Sequence, residues 1–346
     1  MNIVIAGQPK SGTTGLYQTV KKAMLSSGIE FLCLFEPKGP KPWESYFSKC
    51  DKESSLLTKI MLKRRFFESD AVNAFDKRIM ITRDPRDRLL SAFLFKALSR
   101  PIKVRKYIPG FVKLLKEKEN APANISFLEL VDKADQMGFG SLDYKKISEV
   151  LLYQNNIIST KKFFSLKYEA FVSNEFESLS DYLGMPIAGN EPQSNWLKHI
   201  ERSRGYGEWR NWFTPKDVEV LRPLLQPAMD KIGYPDNWEL PKKQFIESST
   251  SSEYVINNFE RRYKQARMAS KEGKIFTGRQ TNREIFELSL QRANDGRLDD
   301  VLRVARFYEE GGKSQEQDID KAVYWYNVGR LFGLKSCNEA LERLSL

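Results

Sequence analysis

The sequence predicts an α/β fold in which helices flank a parallel sheet, followed by a small all-helical C-terminal region. Short apolar runs rich in β-branched residues each precede a loop and then a helical pattern, an order typical of parallel sheets covered on both faces. The chain of 346 residues is long enough for one sizeable α/β domain and a smaller appendage. A Ser/Thr-rich stretch separates the two parts.

The predicted elements follow one another in a regular order. Strands are predicted at residues 2–6, 29–35, 78–82 and 163–168, and helices at residues 13–26 and 86–98. A later helix is predicted to end at Gly184, because glycine readily takes the left-handed backbone found after a helix. Residues 99–140 are more polar and predict helical insertions on the substrate side. The predicted domains are residues 1–240 and 253–346, joined by a linker at residues 241–252.

Charge, cysteine and histidine content narrow the possible functions. Lys and Arg outnumber Asp and Glu by 56 to 45, and the net charge of +11 favours anionic partners such as nucleotides. Three scattered cysteines and the single His199 lack metal-ligand spacing, so neither a metal site nor a disulfide framework is expected.

No apolar run approaches the roughly 20 residues of a membrane span. The first strand begins at Asn2, so we expect a cytoplasmic protein. No nucleic-acid-binding motif is recognised.

Residues 7–14, Gly-Gln-Pro-Lys-Ser-Gly-Thr-Thr, form a variant of the phosphate-binding P-loop between the first strand and the first helix. Backbone N–H groups at the start of that helix can bind a phosphate, and the hydroxyls of Thr13 and Thr14 can add donors. The lysine stands inside the loop at Lys10, and the 78–82 strand leads into Arg83 instead of an aspartate. Both differences argue against a site for Mg·ATP.

Two segments resemble the 3′-phosphoadenosine-5′-phosphosulfate (PAPS)-dependent sulfotransferases, which share a P-loop NTPase-like fold. Pro9, Lys10, Ser11, Gly12, Thr13 and Thr14 resemble that family's 5′-phosphosulfate loop. Residues 83–91, Arg-Asp-Pro-Arg-Asp-Arg-Leu-Leu-Ser, resemble its 3′-phosphate motif, and the resemblance implies that Arg83 and Ser91 hold the 3′-phosphate.

Two more segments occur in the order that the family has. Residues 202–214 resemble its C-terminal motif, which implies that Arg204 with Gly205, or else Arg202, completes the 3′-phosphate site. Residues 167–169, Lys-Tyr-Glu, are a weaker likeness to a strand end of the family. The resemblance covers about residues 1–240 and implies PAPS as co-substrate, PAP as product and no metal.

The same resemblance implies a mechanism. Sulfuryl transfer is in line, so the acceptor needs a general base and the leaving oxygen needs a cation. Lys10 suits the role of the cation at the leaving oxygen. Carbohydrate-acting members often use a glutamate on the loop after the second strand, and Glu36 stands there. We therefore expect Glu36 as base and a glycan or glycolipid hydroxyl, or an amine, as acceptor.

The C-terminal region resembles Sel-like tetratricopeptide-type repeats in residues 301–334. Little more than one repeat is visible, and fewer than about three rarely stand alone. The region either docks a protein partner or packs on the enzyme as an extension, and the sequence leaves both open. Two other functions also stay open: a P-loop nucleotide kinase, and a non-catalytic adaptor with a degenerate transferase domain.

Overall fold

Five parallel strands form one sheet in the order β2-β3-β1-β4-β5. They are β1 (Asn2–Gly7), β2 (Leu32–Phe35), β3 (Leu56–Met61), β4 (Lys77–Thr82) and β5 (Phe164–Lys167). The computed structural model describes residues 1–50, 54–99, 104–189, 196–197, 203–270, 282–312 and 315–344, with the backbone alone for residues 262–270 and 282. The predicted class, a parallel sheet flanked by helices with a helical C-terminal region, is confirmed.

Helices connect the strands and continue after the last of them. They are α1 (Thr13–Ser26), α2 (Lys41–Lys49), α3 (Arg64–Phe67), α4 (Pro85–Ser99), α5 (Ile108–Asn120), α6 (Phe127–Gln136), α7 (Ile147–Thr160), α8 (Tyr168–Val172), α9 (Glu177–Leu183), α10 (Trp209–Trp212), α11 (Pro215–Lys231), α12 (Ser252–Ser270), α13 (Asn282–Asn294), α14 (Leu298–Glu310), α15 (Ile319–Leu331) and α16 (Lys335–Arg343). Short 3₁₀ helices lie at Asp70–Ala74, Arg105–Tyr107, Tyr144–Lys146 and Ser248–Thr250.

Each face of the sheet has its own core, because successive strand side chains point in opposite directions. Ile3 and Ile5 of β1 pack with Leu16 and Val20 of α1 on one face. The strand side chains that point to the opposite face, such as that of Val4, pack against α2 and the C-terminal helices. A third core joins α4, α5, α6, α11 and α12 away from the sheet. The carboxyl ends of the strands stay free for loops, and this edge carries the site.

The C-terminal helices cover the edge strand β2 as well as one face of the sheet. In the turn between α13 and α14, Gly296 accepts a hydrogen bond from the N–H of Phe35 at 3.0 Å. A Cβ on Gly296 would lie 2.5 Å from the carbonyl carbon of Cys33, and its φ is +88°. Asp295 beside it accepts from Lys21 of α1 at 2.6 Å. The helical region therefore packs closely on the sheet.

The structure differs from the sequence prediction at two strands. β3 was not predicted, because Thr58 and Lys59 interrupt its apolar run, although both are fully buried. β2 begins at Leu32 and not at residue 29, because Leu32 pairs with Leu56, where β3 itself begins. The predicted helix end at Gly184 is confirmed, with φ of 72°. The linker at residues 241–252 stays a prediction; within it, Gln244 donates to the carbonyl oxygen of Phe213 at 2.6 Å.

Candidate active site

The loop between β1 and α1 is a compact turn with a left-handed backbone at two residues, Lys10 (φ 70°) and Gly12 (φ 86°). The N–H of Ser11 donates to the carbonyl oxygen of Gln8 at 3.2 Å. A Cβ on Gly12 would lie 2.5 Å from the ring of Tyr168, so the ring excludes any larger residue there. Gly12 lets the helix start beneath the aromatic ring.

The N-cap residue of the helix that follows the loop is Gly12, which has no side chain to accept a hydrogen bond from the first turn. The first N–H groups of a helix have no partner within the helix, so such a start is the usual anion site of a helix N-terminus. Ser11, Thr13 and Thr14 are buried and Pro9 is exposed. The ammonium of Lys10 lies 4.1 Å from the ring centroid of Phe95, which holds it over α4.

Arg83 joins the loop to the other predicted segments. Its Nη1 donates to the carbonyl oxygen of Lys10 at 3.1 Å, and its Nη2 donates to that of Gly205 at 3.2 Å. The guanidinium lies 4.2 Å from the ring centroid of Tyr168. Its Nε is buried without a hydrogen-bond partner. Four segments that are distant in sequence thus meet at one buried arginine.

Ser91 lies on α4, one turn before Phe95, the residue that Lys10 contacts. It is buried at 5% exposure. The helix therefore carries Ser91 on the side of the loop, while the segment before the helix supplies Arg83. Arg83 and Ser91 are eight residues apart and both belong to the β4–α4 unit.

The segment before α10 is held on α4 by Asp87. The carboxylate of Asp87 accepts from the backbone N–H groups of Gly207 (2.5 Å) and Trp209 (3.1 Å). Burial raises the pKa of Asp87 to about 6, against the effects of Arg83 and the two N–H donors. This contact places Gly205 within reach of Arg83.

Two arginines were predicted in this segment. Arg204 is exposed and has a left-handed backbone with φ of 50°. Its exposed side chain stands next to Gly205, the carbonyl partner of Arg83. Arg202 lies outside the described residues. The structure thus brings the carbonyl oxygen of Gly205 to Arg83, and Arg204 is the residue before it.

Glu36 follows β2 and also has a left-handed backbone, with φ of 49°. Its N–H donates to the carbonyl oxygen of Lys59 at 2.8 Å, and its carboxylate accepts from the Lys59 ammonium. The Lys59 side chain is fully buried, whereas that of Glu36 is 31% exposed. Burial lowers the pKa of Lys59, and the neighbouring Glu36 opposes that shift. The carboxylate is held by a cation and still reaches the solvent side.

Topology separates Glu36 from the loop. β2 is two strands away from β1, a distance of about 10 Å at the usual strand spacing of about 4.8 Å. Lys10 and Arg83 lie at the ends of β1 and β4, which are neighbours. The structure brings Lys10, Arg83 and Gly205 into contact, and places Glu36 at the same edge of the sheet without contact to them.

Comparison with known proteins decides the family. The sequence profile described as the sulfotransferase family matches residues 15–202, more than half of the 346 residues. The chain belongs to the sulfotransferase family. Sulfuryl transfer is therefore favoured over the kinase chemistry that the loop alone leaves open.

Individual sulfotransferases are similar to the chain at lower identity. Sulfotransferase 2A6 of Mus musculus is 25% identical over an alignment of 270 residues, and the match covers 69% of this chain and 88% of that protein. Sulfotransferase 2A1 of Mus musculus is 25% identical over 275 residues, with the same coverage of 69% and 88%. A crystal structure of mouse sulfotransferase SULT7A1 complexed with PAP aligns at a TM-score of 0.42 and 17% identity, covering 66% of this chain and 84% of that one.

Lys59 is the residue of this sulfotransferase site that the sequence analysis missed. It comes from β3, the strand that was not predicted, and its partner Glu36 precedes it by 23 residues. A lysine inside the mostly apolar run Leu56–Met61 is the signal that could have revealed it, since lysine is almost never fully buried unless paired.

Two further findings bear on the chemistry of this sulfotransferase. Over the residues that the structure describes, no group of three or more His, Cys, Asp and Glu side chains has the arrangement of a metal site. Among the same residues, no helix is long and apolar enough to cross a membrane.

Proposed function

We propose that this chain transfers the sulfuryl group of PAPS to an acceptor hydroxyl or amine. The observation that carries the proposal is the convergence of the loop, Arg83, Tyr168 and Gly205 at the carboxyl edge of the sheet. This edge is where open α/β sheets bind ligands. Family membership supports the sulfuryl group as the group transferred.

The donor set fits an adenosine carrying phosphates at its 3′ and 5′ positions. The uncapped start of α1 offers N–H groups to the 5′-phosphosulfate, with Thr13 and Thr14 beside them. The buried Nε of Arg83 lacks a partner, and a 3′-phosphate oxygen would supply one. Ser91, Arg204 and Gly205 are proposed to complete that second site, together with Arg202.

The proposed reaction is a single in-line displacement. The acceptor oxygen or nitrogen attacks sulfur, the bond from sulfur to the 5′-phosphate oxygen breaks, and PAP leaves with that oxygen. Lys10 stabilises the charge that grows on the leaving oxygen. Glu36 takes the proton of the acceptor, so the atoms and charges balance without a metal ion.

The ion pair with Lys59 supports Glu36 in this role. A buried ammonium fixes the carboxylate at the sheet edge. We therefore propose Lys59 as a positioning residue. The acceptor is proposed to be a carbohydrate or glycolipid hydroxyl, because Glu36 occupies the place of the base in carbohydrate-acting sulfotransferases.

The C-terminal helices are proposed to serve first as part of the enzyme. Their turn at Gly296 is hydrogen-bonded to β2, directly before Glu36. This contact supports the packing extension over a free docking module, and a protein partner would have to use the outer surface of the helices. Cys33, Cys50 and Cys337 are free thiols, which agrees with the cytoplasmic location that we propose.

One assay tests the proposal. Purified protein is incubated with sulfate-labelled PAPS and a fractionated host extract, and separately with labelled ATP and magnesium. We expect sulfate transfer that Lys10→Ala abolishes, and no phosphate transfer. Phosphate transfer would point to a kinase. Tight PAP binding without any transfer would point to the adaptor.

A further inference from the structure

Asp295 is a buried residue in the turn between α13 and α14, and its two carboxylate oxygens bind two segments outside the C-terminal helices. Oδ1 accepts from the ammonium of Lys21 on α1 at 2.6 Å, and Oδ2 accepts from the indole Nε1–H of Trp196 at 2.7 Å. The Asp295 side chain is only 6% exposed. A carboxylate buried to this degree needs partners for its charge, and these two hydrogen bonds supply them.

The same turn also binds α1 through its backbone. The hydroxyl of Tyr17 donates to the carbonyl oxygen of Asp295 at 3.0 Å, and Lys21 donates to that of Asn294 at 2.8 Å. Tyr17 and Lys21 lie four residues apart on α1, so they share one face of the helix. The turn therefore packs directly on the helix that follows the phosphate loop.

Trp196 is held at this turn from several sides. The guanidinium groups of Arg292 and Arg297 lie 5.6 and 5.7 Å from the centroid of its ring, within range of a cation–π contact. The ring also packs edge-on against Phe35, with the two centroids 5.5 Å apart. Leu197 beside it is buried in the core between α1 and the sheet. This part of the chain is therefore fixed where α1, β2 and the C-terminal turn meet.

The place of Trp196 along the chain gives this contact a consequence for the nucleotide. Trp196 precedes Arg204 by eight residues, and Arg204 and Gly205 are proposed to hold the 3′-phosphate. Beyond them, the N–H of Gly207 donates to the carboxylate of Asp87. The segment that carries the proposed 3′-phosphate ligands is thus tied at both ends. A segment tied at both ends has fewer conformations to lose when a ligand binds.

We propose that Asp295 is a positioning residue for the nucleotide. It holds Trp196 against α1 and thereby pre-orders the segment that carries Arg204 and Gly205. The C-terminal helices then contribute to recognition of the 3′-phosphate from outside the nucleotide site. This inference rests on the proposed function, because the 3′-phosphate site is the one proposed above for PAPS.

Trp196→Phe tests the inference, because it keeps an aromatic ring beside Phe35 and removes the N–H that donates to Asp295. The probes are PAP and adenosine 5′-monophosphate, which lacks the 3′-phosphate. The preference for PAP is the ratio of their two dissociation constants. It should fall about fivefold or more, whereas the affinity for adenosine 5′-monophosphate should stay within about twofold.

Asp295→Ala removes the same hydrogen bond from its other side and should lower the preference for PAP at least as much. Titrations are run where denaturant unfolding shows each variant to be folded. Should Asp295→Ala fail to fold, Trp196→Phe decides alone. An unchanged preference in the folded variants overturns the inference.

A double variant shows whether the two residues act through one bond. In W196F/D295A the preference for PAP should fall no further than in Asp295→Ala alone, since that change already removes the bond. Losses that add would mean that the two residues act independently, which also overturns the inference.

Asp300→Ala is the matched control. Asp300 is a buried aspartate of α14, 4% exposed like Asp295, but its ion pair is with Arg303 of the same helix. The control should therefore keep the wild-type preference for PAP. A loss equal to that of Asp295→Ala would make general damage to the C-terminal helices the cause and would overturn the inference.

Turnover separates this inference from the proposed function. With PAPS, Trp196→Phe should raise KM about fivefold and leave kcat within about twofold, because it weakens nucleotide binding and spares Lys10 and Glu36. A normal KM with a lower kcat contradicts the positioning of the nucleotide and leaves sulfuryl transfer intact. If no acceptor is sulfated while the variants lose the preference for PAP, the proposed reaction fails and the role of Asp295 stands. If the wild type binds PAP no better than adenosine 5′-monophosphate, the proposed nucleotide fails and the inference fails with it.

Discussion

Lys59 is fully buried within β3, and its ammonium donates to the carboxylate of Glu36, which is partly exposed at the end of β2. A buried lysine needs a partner, and the carboxylate of Glu36 is that partner. The pair therefore fixes one carboxylate at the carboxyl edge of the sheet, where the acceptor is expected to arrive.

Replacement of that carboxylate tests its role as base. Glu36→Gln keeps the size of the side chain and removes the proton acceptor, so sulfate transfer should fall by about 10²- to 10⁴-fold. The affinity for PAP should stay within about twofold, because Glu36 lies two strands from β1. Initial rates with labelled PAPS and equilibrium PAP binding measure the two quantities. Glu44→Gln, at an exposed position on α2, is the control. An unchanged rate in the Glu36 variant would remove it from the mechanism.

Part of this site follows from local sequence. Lys10, Gly12 and Arg83 stand at strand ends, and parallel strands bring their carboxyl ends to one edge. The contact between Arg83 and Gly205 joins residues 122 positions apart, and only the docking of Asp87 on the backbone of Gly207 and Trp209 explains it. No short-range pattern encodes such a contact.

Other features depend on tertiary packing even more strongly. The buried charge of Lys59 breaks the apolar pattern of its strand. Neither the strand nor the buried position of Lys59 could therefore be predicted from that pattern. The helical character of the C-terminal region could be predicted from periodicity. The position of this region against the sheet could not be predicted, because it depends on the fit of Gly296 against the backbone of Cys33.

Gly12 tests the shape of the phosphate loop. In Gly12→Ala the new Cβ would lie 2.5 Å from the Tyr168 ring, and the left-handed φ of +86° adds about 1 kcal/mol of strain. We expect a loss of PAP affinity of tenfold or more, because the ring, Arg83 and the loop must separate. Gly28→Ala is the matched control, with φ of +67° and no atom within 4 Å. Calorimetric PAP titrations compare them, and equal losses would contradict the crowding at Tyr168.

Asp87 predicts a pH dependence of stability. Its pKa in the folded protein is about 6, raised mainly by burial from its ordinary value of 3.8. A carboxyl group with a raised pKa stabilises the fold below its unfolded-state pKa and loses that contribution as pH rises through its folded-state pKa. Relative to Asp87→Asn, the free energy of unfolding of the wild type should therefore fall by about 2 kcal/mol between pH 4 and pH 7.

Denaturant unfolding of both proteins at several pH values measures that difference. All other titrating groups are shared, so they cancel in the comparison. Asp70→Asn, which changes an exposed carboxylate, is the control for the loss of one negative charge. A difference between wild type and Asp87→Asn that does not change with pH would mean that Asp87 titrates near its ordinary pKa in the folded protein.

Gly296 tests whether the C-terminal helices belong to the catalytic unit. In Gly296→Ala the Cβ would lie 2.5 to 2.6 Å from backbone atoms of Cys33 and Leu34, and a backbone contact cannot be relieved by rotating a side chain. The turn should separate from β2, break the hydrogen bond to Phe35 and shift Glu36, the next residue. We expect a lower free energy of unfolding, by about 2 kcal/mol or more, and a sulfate-transfer rate reduced more strongly than PAP affinity.

Gly184→Ala is the control, with φ of +72° and open space around it. It should lower the free energy of unfolding by only about 1 kcal/mol and keep the wild-type rate. A Gly296 variant that is destabilised but fully active would show that the helices pack on the sheet without positioning Glu36.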